Sequence, residues 1–153
     1  MQKSFLLSLL ATALLVSACN RQPMHSVDGA SIDDSSSIVR LREGSMLLRG
    51  LDGKVWDATK IPNMFSDFTY VFTPGQHTLW GMNIQGGHPL LLESLRCYAI
   101  DNVELKAGVV YRLNEDKNAA RAILVREDTG VEVASGKLVD TKSAYTETCN
   151  WKR

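Results

Sequence analysis

Short runs of β-branched, aromatic and aliphatic residues recur along most of this chain, each bounded by turn-forming residues. Residues 39–42 alternate between apolar and charged side chains, and residues 68–72 are rich in aromatic and β-branched side chains. Runs of this kind at intervals of about 8–12 residues are typical of strands in an all-β sandwich or barrel. We therefore expect residues 38–153 to form a small antiparallel β-sandwich or a partly open barrel.

Turn-forming residues separate several of these runs and predict hairpins. Glycine allows positive φ in a tight turn, and proline fixes its own φ. The predicted turns are Asp52-Gly53, Thr73-Pro74-Gly75-Gln76, Lys106-Ala107-Gly108 and Asp128-Thr129-Gly130.

Residues 114–126 are compatible with two local structures. Asn114 can cap a helix, since acidic residues and good helix formers follow it. However, Ile123, Leu124 and Val125 run directly into a turn, which favours a loop followed by a strand. We expect the loop and strand, and the short helix remains the alternative.

The first eighteen residues are typical of a secretory signal peptide. Lys3 supplies a positive charge, and residues 5–16 form an apolar run without helical periodicity. This run is too short to span a hydrocarbon core, which needs about 20 residues.

Val16-Ser17-Ala18-Cys19 closes this segment and resembles the lipobox of bacterial lipoproteins. In that family cleavage falls between Ala18 and Cys19, and Cys19 carries a thioether-linked diacylglycerol. Two or three acyl chains anchor a protein stably to a membrane. Asn20 follows Cys19, and by analogy with enteric lipoproteins this implies the outer membrane, with the protein facing the periplasm or the exterior. The alternative is an ordinary secreted protein.

A polar segment follows the lipobox, and we predict that residues 19–37 form a lipid-anchored flexible linker. The segment contains Pro23, Gly29 and three consecutive serines, and its few apolar residues have no period. Eighteen flexible residues span about 23 Å r.m.s..

Cys97 and Cys149 are the two cysteines that remain after Cys19. Outside the cytosol, two such thiols are expected to form a disulfide. Closing a loop of about 53 residues stabilises a fold by about 4 kcal/mol in the loop-entropy model. A metal pair or a reactive thiol is the alternative, but the chain has no CxxC spacing. We predict no metal ion and no cofactor.

Three short signatures lie along the predicted strands. They are Asp52-Gly53-Lys54, then Thr73-Pro74-Gly75-Gln76-His77-Thr78-Leu79, then Leu105-Lys106-Ala107-Gly108-Val109-Val110-Tyr111-Arg112-Leu113. Together they resemble small bacterial envelope domains of the PEGA or DUF2846 type. The resemblance covers residues 38–135. It implies a β-sandwich used for surface attachment or interaction, and it brings no catalytic residues.

Charge and motifs limit the functional classes. Lys and Arg together number 17, as do Asp and Glu, so no excess positive charge indicates a nucleic-acid partner. The chain has no GxSxG, HExxH, Walker-type or GxGxxG motif. We therefore predict a non-catalytic domain that binds a protein or an envelope polymer.

A candidate interaction surface comprises two tryptophans and a glycine-rich segment. Its members are Trp56, Trp151, Gly86, Gly87 and His88. For both tryptophans, packing in the core or on the disulfide is the favoured interpretation and an exposed aromatic patch is the alternative. Trp80 is expected in the core.

Two further functions remain as alternatives. An inhibitor of the lysozyme-inhibitor type would need a protruding loop, for which residues 81–89 are the candidate. An envelope hydrolase would need His77 or His88 beside an acid and a nucleophile, for example Asp67 and Ser66.

Overall fold

A computed structural model describes residues 24–56, 69–86, 94–143 and 148–151. These residues form ten β-strands and no helix, so the predicted all-β class is confirmed. The strands are β1 (Met24–Ser26), β2 (Val39–Glu43), β3 (Leu47–Leu51), β4 (Lys54–Val55), β5 (Thr69–Phe72), β6 (Gly75–Gln85), β7 (Ser94–Leu105), β8 (Val110–Asp116), β9 (Arg121–Arg126) and β10 (Glu132–Lys142).

All ten strands belong to one sheet, in the order β1-β5-β2-β8-β9-β10-β7-β6-β3-β4. The sheet curls strongly into a half-barrel, so the partly open barrel is the architecture found. The sheet is mixed, because β1 pairs with β5 and β2 pairs with β8 in parallel. The other neighbours in the sheet are antiparallel, as predicted.

The four predicted turns join consecutive strands, but only two of them close hairpins: β3 pairs with β4, and β9 pairs with β10. The hairpins predicted at Thr73–Gln76 and Lys106–Gly108 are wrong, because β5 and β6, like β7 and β8, are not neighbours in the sheet. Asp52 and Gly53 have φ values of 50° and 84°, as a two-residue hairpin turn between β3 and β4 requires. Gly108 (φ 75°) lies between β7 and β8, and Gly130 (φ 68°) lies between β9 and β10.

The larger hydrophobic core lies inside the curl of the sheet. Side chains alternate between the two faces along each strand, and apolar ones fill the inside of the curl. Large, fully buried members of this core include Tyr70, Phe72, Tyr98, Leu41, Leu79 and Ile100.

A smaller hydrophobic cluster covers the opposite face of β6, β7 and β10. Leu79 belongs to the inner core, and its neighbour Trp80 belongs to this outer cluster, as strand alternation requires. The C-terminal residues Cys149 and Trp151 pack on the outer cluster. The sheet thus has apolar packing on both faces at this place.

Residues 114–126 form a strand, a turn and a strand, so the helical alternative is wrong. Asp116 ends β8, and its carboxylate accepts hydrogen bonds from the amides of Asn118 and Ala119 at 3.2 Å. Ala120 then adopts a positive φ of 49°. Asp116, one of the acidic residues that suggested a helix start, instead stabilises this turn, and β9 follows as the predicted strand.

The sheet begins earlier in the chain than the sequence indicated. Met24–Ser26 lies within the segment predicted as a flexible linker, yet it pairs with β5 as an edge strand. The Val27 amide continues the pairing by donating to the Val71 carbonyl at 3.1 Å. Part of the segment predicted as a flexible linker therefore belongs to the sheet. The predicted signal peptide, the cleavage site and Cys19 lie outside the described residues.

Candidate functional site

Cys97 and Cys149, the predicted disulfide partners, are placed together. Cys97 lies on β7, and its Cα atom is 5.9 Å from that of Cys149, within the usual range for a disulfide. The neighbouring Asn150 amide donates to the Asp140 carboxylate at 2.8 Å. This bond and one from Lys142 lower the pKa of Asp140. The C-terminal segment is thereby fixed to β7 and β10.

Trp151 packs on this cystine instead of forming an exposed patch. Its side chain stacks on Trp80 with ring centroids 5.9 Å apart and only 6° between the planes. Both residues are more than nine-tenths buried, at 8% and 6% exposure. Trp80 is therefore a core residue, as expected, and packing on the disulfide is the correct interpretation for Trp151.

A shallow cleft of about 220 Å³ lies beside Trp151. We call it the Trp151 cleft. It is lined by Trp151, Ala99, Asp101, Lys137, Leu138 and Val139. The lining thus combines apolar residues with one acidic and one basic residue.

Trp56 packs on the inner core, away from Trp151. Its ring stacks on Tyr70 with centroids 6.1 Å apart. The two tryptophans contact clusters on opposite faces of the sheet, so they do not form a common aromatic surface. The proposed grouping of Trp56 with Trp151 is corrected accordingly.

The glycine-rich segment is only partly described. Gly86 is exposed at the end of β6, whereas Gly87 and His88 lie outside the described residues. Residues 81–85 belong to β6 and do not form the protruding loop expected for an inhibitor. A Cβ atom on Gly81 would stand 2.7 Å from Met46 Cε, which shows how closely this strand is packed.

His77 is buried, and both of its ring nitrogens face hydrogen-bond acceptors. Nδ1 lies 2.7 Å from the Asp52 carboxylate, and Nε2 lies 2.8 Å from the Thr73 carbonyl oxygen. Asp52 also accepts from the Thr78 amide at 2.8 Å. His77 therefore fastens the β3–β4 turn to β6. Ser66, Asp67 and His88, the other members of the hypothetical hydrolase site, lie outside the described residues.

Glu115 has the most completely enclosed carboxylate among the ion pairs of the described residues, with no exposed side-chain surface. It accepts hydrogen bonds from side chains of two strands across the curl, which we call the Glu115 cluster. The donors are the Tyr98 hydroxyl, Asn83 Nδ2 at 2.6 Å, Arg96 Nη1 at 3.4 Å and Gln85 Nε2 at 3.4 Å.

Burial and hydrogen bonding shift the pKa values of two donors of the Glu115 cluster, Tyr98 and Arg96. Burial raises the pKa of Tyr98 to about 12, and the bond to Glu115 acts in the same direction. Hydrogen bonds to Tyr98 and Glu115 raise the pKa of Arg96. A carboxylate with four donors and no accessible surface holds strands together and has no free face for a substrate.

A second buried carboxylate, Glu43, links β2 to β3 and β5. Its Oε1 accepts from the Leu48 amide and from the Tyr70 hydroxyl, each at 2.9 Å, and lies 3.7 Å from Arg49 Nη1. Burial raises the pKa of Glu43 despite these bonds, and it also raises the pKa of Tyr70. The sequence analysis missed Glu43 and Glu115 because charged residues on strands are normally assigned to the exposed face.

Within the described ranges, no group of three His, Cys, Asp or Glu side chains is arranged to hold a metal ion. The same ranges contain no helix with the length and apolar character to cross a membrane.

No protein-family model, curated protein or solved structure matches this chain. The resemblance to the lipobox and the resemblance to PEGA or DUF2846 domains remain predictions from the sequence.

Proposed function

We propose that this chain is a lipid-anchored protein of the bacterial cell envelope, whose half-barrel domain binds another envelope component without catalysing a reaction. The anchor is a diacylglycerol on Cys19, added after the signal peptide is recognised. The partner is a protein or an envelope polymer.

The observation that carries this proposal is the use of the buried acid–base side chains inside the sheet. His77 bonds Asp52 and the Thr73 carbonyl, while Glu43 and Glu115 join strands across the curl. A general acid or base must reach the substrate proton, and these groups are occupied by partners within the fold. The arrangement supports a stable scaffold for binding.

The cysteine pair also supports an envelope location. Cys97 and Cys149 have disulfide-compatible geometry, and structural disulfides persist in oxidising compartments such as the bacterial periplasm. The proposed location would keep this bond oxidised.

The Trp151 cleft is the surface that best supports binding. Trp151 and Leu138 line this cleft, and Lys137 and Asp101 offer one charge of each sign. Protein interfaces commonly combine an aromatic centre with a polar rim. We assign the partner contact to this cleft.

Mass spectrometry of the protein extracted from cells tests the anchor. We expect the N-terminal residue to be Cys19 carrying diacylglycerol, and we expect Cys19→Ser to abolish membrane attachment. An intact leader, or an unmodified thiol at position 19, would contradict the proposed anchor.

Site-specific photocrosslinking in cells tests the contact surface. A photoreactive phenylalanine at Leu138 should yield a crosslinked adduct, whereas the same group at Val133 should not. Val133 is the matched control because it is an apolar residue on the same strand with 41% exposure. Equal crosslinking at both positions, or none at Leu138, would exclude the cleft as the contact.

Release of soluble products from wall fragments by the purified protein would contradict a non-catalytic role.

A further inference from the structure

The N-terminal part of the predicted linker is bound to the edge of the sheet. Met24, His25 and Ser26 pair in parallel with Thr69, Tyr70 and Val71 of β5. This pairing ends the sheet on one side, since β1 is its first strand.

Contacts beyond β1 extend this attachment. The Asp28 carboxylate accepts from the Thr73 amide at 2.8 Å and from the Thr73 hydroxyl at 2.7 Å. Although burial raises it, these hydrogen bonds lower the pKa of Asp28, so the carboxylate is held ionised. Val27 packs against the inner core between these two sets of bonds.

The attachment shortens the chain between the proposed anchor and the folded domain. Only four residues, at positions 20–23, separate Cys19 from Met24. Five Cα–Cα steps span at most about 17 Å when fully extended. A linker that was free up to residue 38 would have an r.m.s. length of about 24 Å, against about 12 Å for the short segment.

We propose that the edge of the sheet formed by β1 and β5 is held within about 17 Å of the headgroup layer of the membrane that holds the anchor. The inference rests on the proposed lipid on Cys19. It restricts the partner of the domain to components at the membrane surface, because the domain cannot extend far from the bilayer.

Exposed apolar residues occur on the same segment. Met24 and Ile32 are each 37% exposed, and both are among the few exposed large hydrophobic residues of the described chain. Amphipathic contacts of this kind suit the boundary between headgroups and acyl chains.

Charge does not draw this edge to the membrane. Positions 20–39 contain three acidic residues, Asp28, Asp33 and Asp34, and a single basic one, Arg21. Acidic residues are not attracted to anionic lipid, so the length of the linker is what keeps the edge at the surface. High ionic strength should therefore leave the domain in place.

Neutron reflectometry of the full lipidated protein on a supported phosphatidylethanolamine bilayer tests the proposal. The measured quantity is the thickness of the hydrated layer between headgroups and protein. Inserting ten Gly and Ser residues between Gln22 and Pro23 should thicken this layer about 1.7-fold, because the free segment grows from five steps to fifteen. If the linker were free up to residue 38, the same insertion would thicken it only about 1.2-fold.

A second variant releases the edge strand itself. Val27→Pro combined with Asp28→Ala removes the bonds to Val71 and Thr73, and it should roughly double the layer thickness. Ser35→Pro is the matched control, since Ser35 follows Asp34 in a turn closed by the Ser37 amide, where proline is tolerated. The control should leave the thickness unchanged.

The outcomes separate this inference from the proposed function. If the protein carries the lipid but its hydrated layer is thick and grows only about 1.2-fold on the ten-residue insertion, the inference is overturned and the proposed anchor is not. A protein that carries no lipid and does not remain on the bilayer would overturn both.

Discussion

Glu115 on β8 accepts a hydrogen bond from the Tyr98 hydroxyl on β7, although β9 and β10 lie between these strands in the sheet. Two residues so far apart along the sheet meet only because the sheet curls. Asn83 on β6 donates to the same carboxylate at 2.6 Å. A buried hydrogen bond to a charged group is among the stronger ones in proteins, so this contact helps to fix the curvature.

Tyr98→Phe should lower the free energy of unfolding by about 1.5–3 kcal/mol, because a buried carboxylate loses a donor. Urea denaturation followed by circular dichroism measures the change. Tyr111→Phe is the control, since the Tyr111 hydroxyl accepts a single bond from the Lys106 amide at 3.1 Å and should be worth about 1 kcal/mol. An equal loss of unfolding free energy in both variants would show that the bond to Glu115 stabilises the fold no more than the bond from Lys106 does.

Alkaline pH should reduce the extra stability that Tyr98 gives the wild type over the Tyr98→Phe variant. Burial raises the pKa of Tyr98 from 10.0 to about 12, so the hydroxyl ionises more readily in the unfolded chain than in the fold. Between these two values the folded state binds more protons, and stability falls as pH rises. The difference in unfolding free energy between wild type and Tyr98→Phe should be constant below pH 10 and shrink above it. A constant difference up to pH 12 would contradict the assignment.

The stability of Glu43→Gln relative to wild type should increase as pH rises from mildly acidic to neutral. Burial raises the pKa of Glu43 above its usual value of 4.5, so in this window the folded state holds its proton more tightly. The wild type therefore loses stability relative to the variant once pH exceeds about 4.5. Urea titrations at several pH values measure this difference. Glu104→Gln, at an exposed position of β7, is the control, and an identical pH profile for both variants would count against the interpretation.

The sequence predicted features that depend on neighbouring residues. The Asp52-Gly53 turn needs positive φ at both positions, and the turn at Gly130 needs it at one, so local composition sufficed. The class of the fold followed from these turns and from the runs between them.

Features that depend on distant residues were not predicted. β2 pairs in parallel with β8, so Arg40 lies opposite Val110, and no local pattern indicates such a partner. The linker was assigned by its polar composition, yet β1 is held by backbone pairing and Asp28 by hydrogen bonds to its carboxylate, neither of which depends on hydrophobicity. In the sequence, Glu115 has the pattern of an ordinary exposed acidic residue on a strand. Its contact with Tyr98 exists only because the sheet curls.

Gly136 is a further residue whose role appears only in the fold. It lies on β10, where a Cβ atom would collide with the Ala99 carbonyl oxygen and stand 2.6 Å from Ile100 Cγ1. Gly136→Ala should therefore lower the free energy of unfolding by about 1–3 kcal/mol, as overpacking does. Ser135→Ala, one residue earlier on the same strand, should change it by less than about 0.5 kcal/mol. Thermal denaturation compares them, and a neutral Gly136→Ala would mean that β7 and β10 can separate without cost.

Removing the Cys97–Cys149 bond should destabilise the domain through the unfolded chain. The two residues are 52 positions apart, and closing such a loop is worth about 4 kcal/mol in the loop-entropy model. The double variant Cys97→Ser/Cys149→Ser should therefore unfold at lower urea concentration, and reducing agent should destabilise the wild type to a similar extent but leave the variant unchanged. Trp151 reports the local effect, because its stack on Trp80 depends on the C-terminal segment staying in place. Tryptophan fluorescence should thus shift to longer wavelength on reduction. A wild type whose stability and fluorescence are both insensitive to reduction would show that the hydrogen bond from Asn150 to Asp140 and the packing of Trp151 hold the segment without the disulfide.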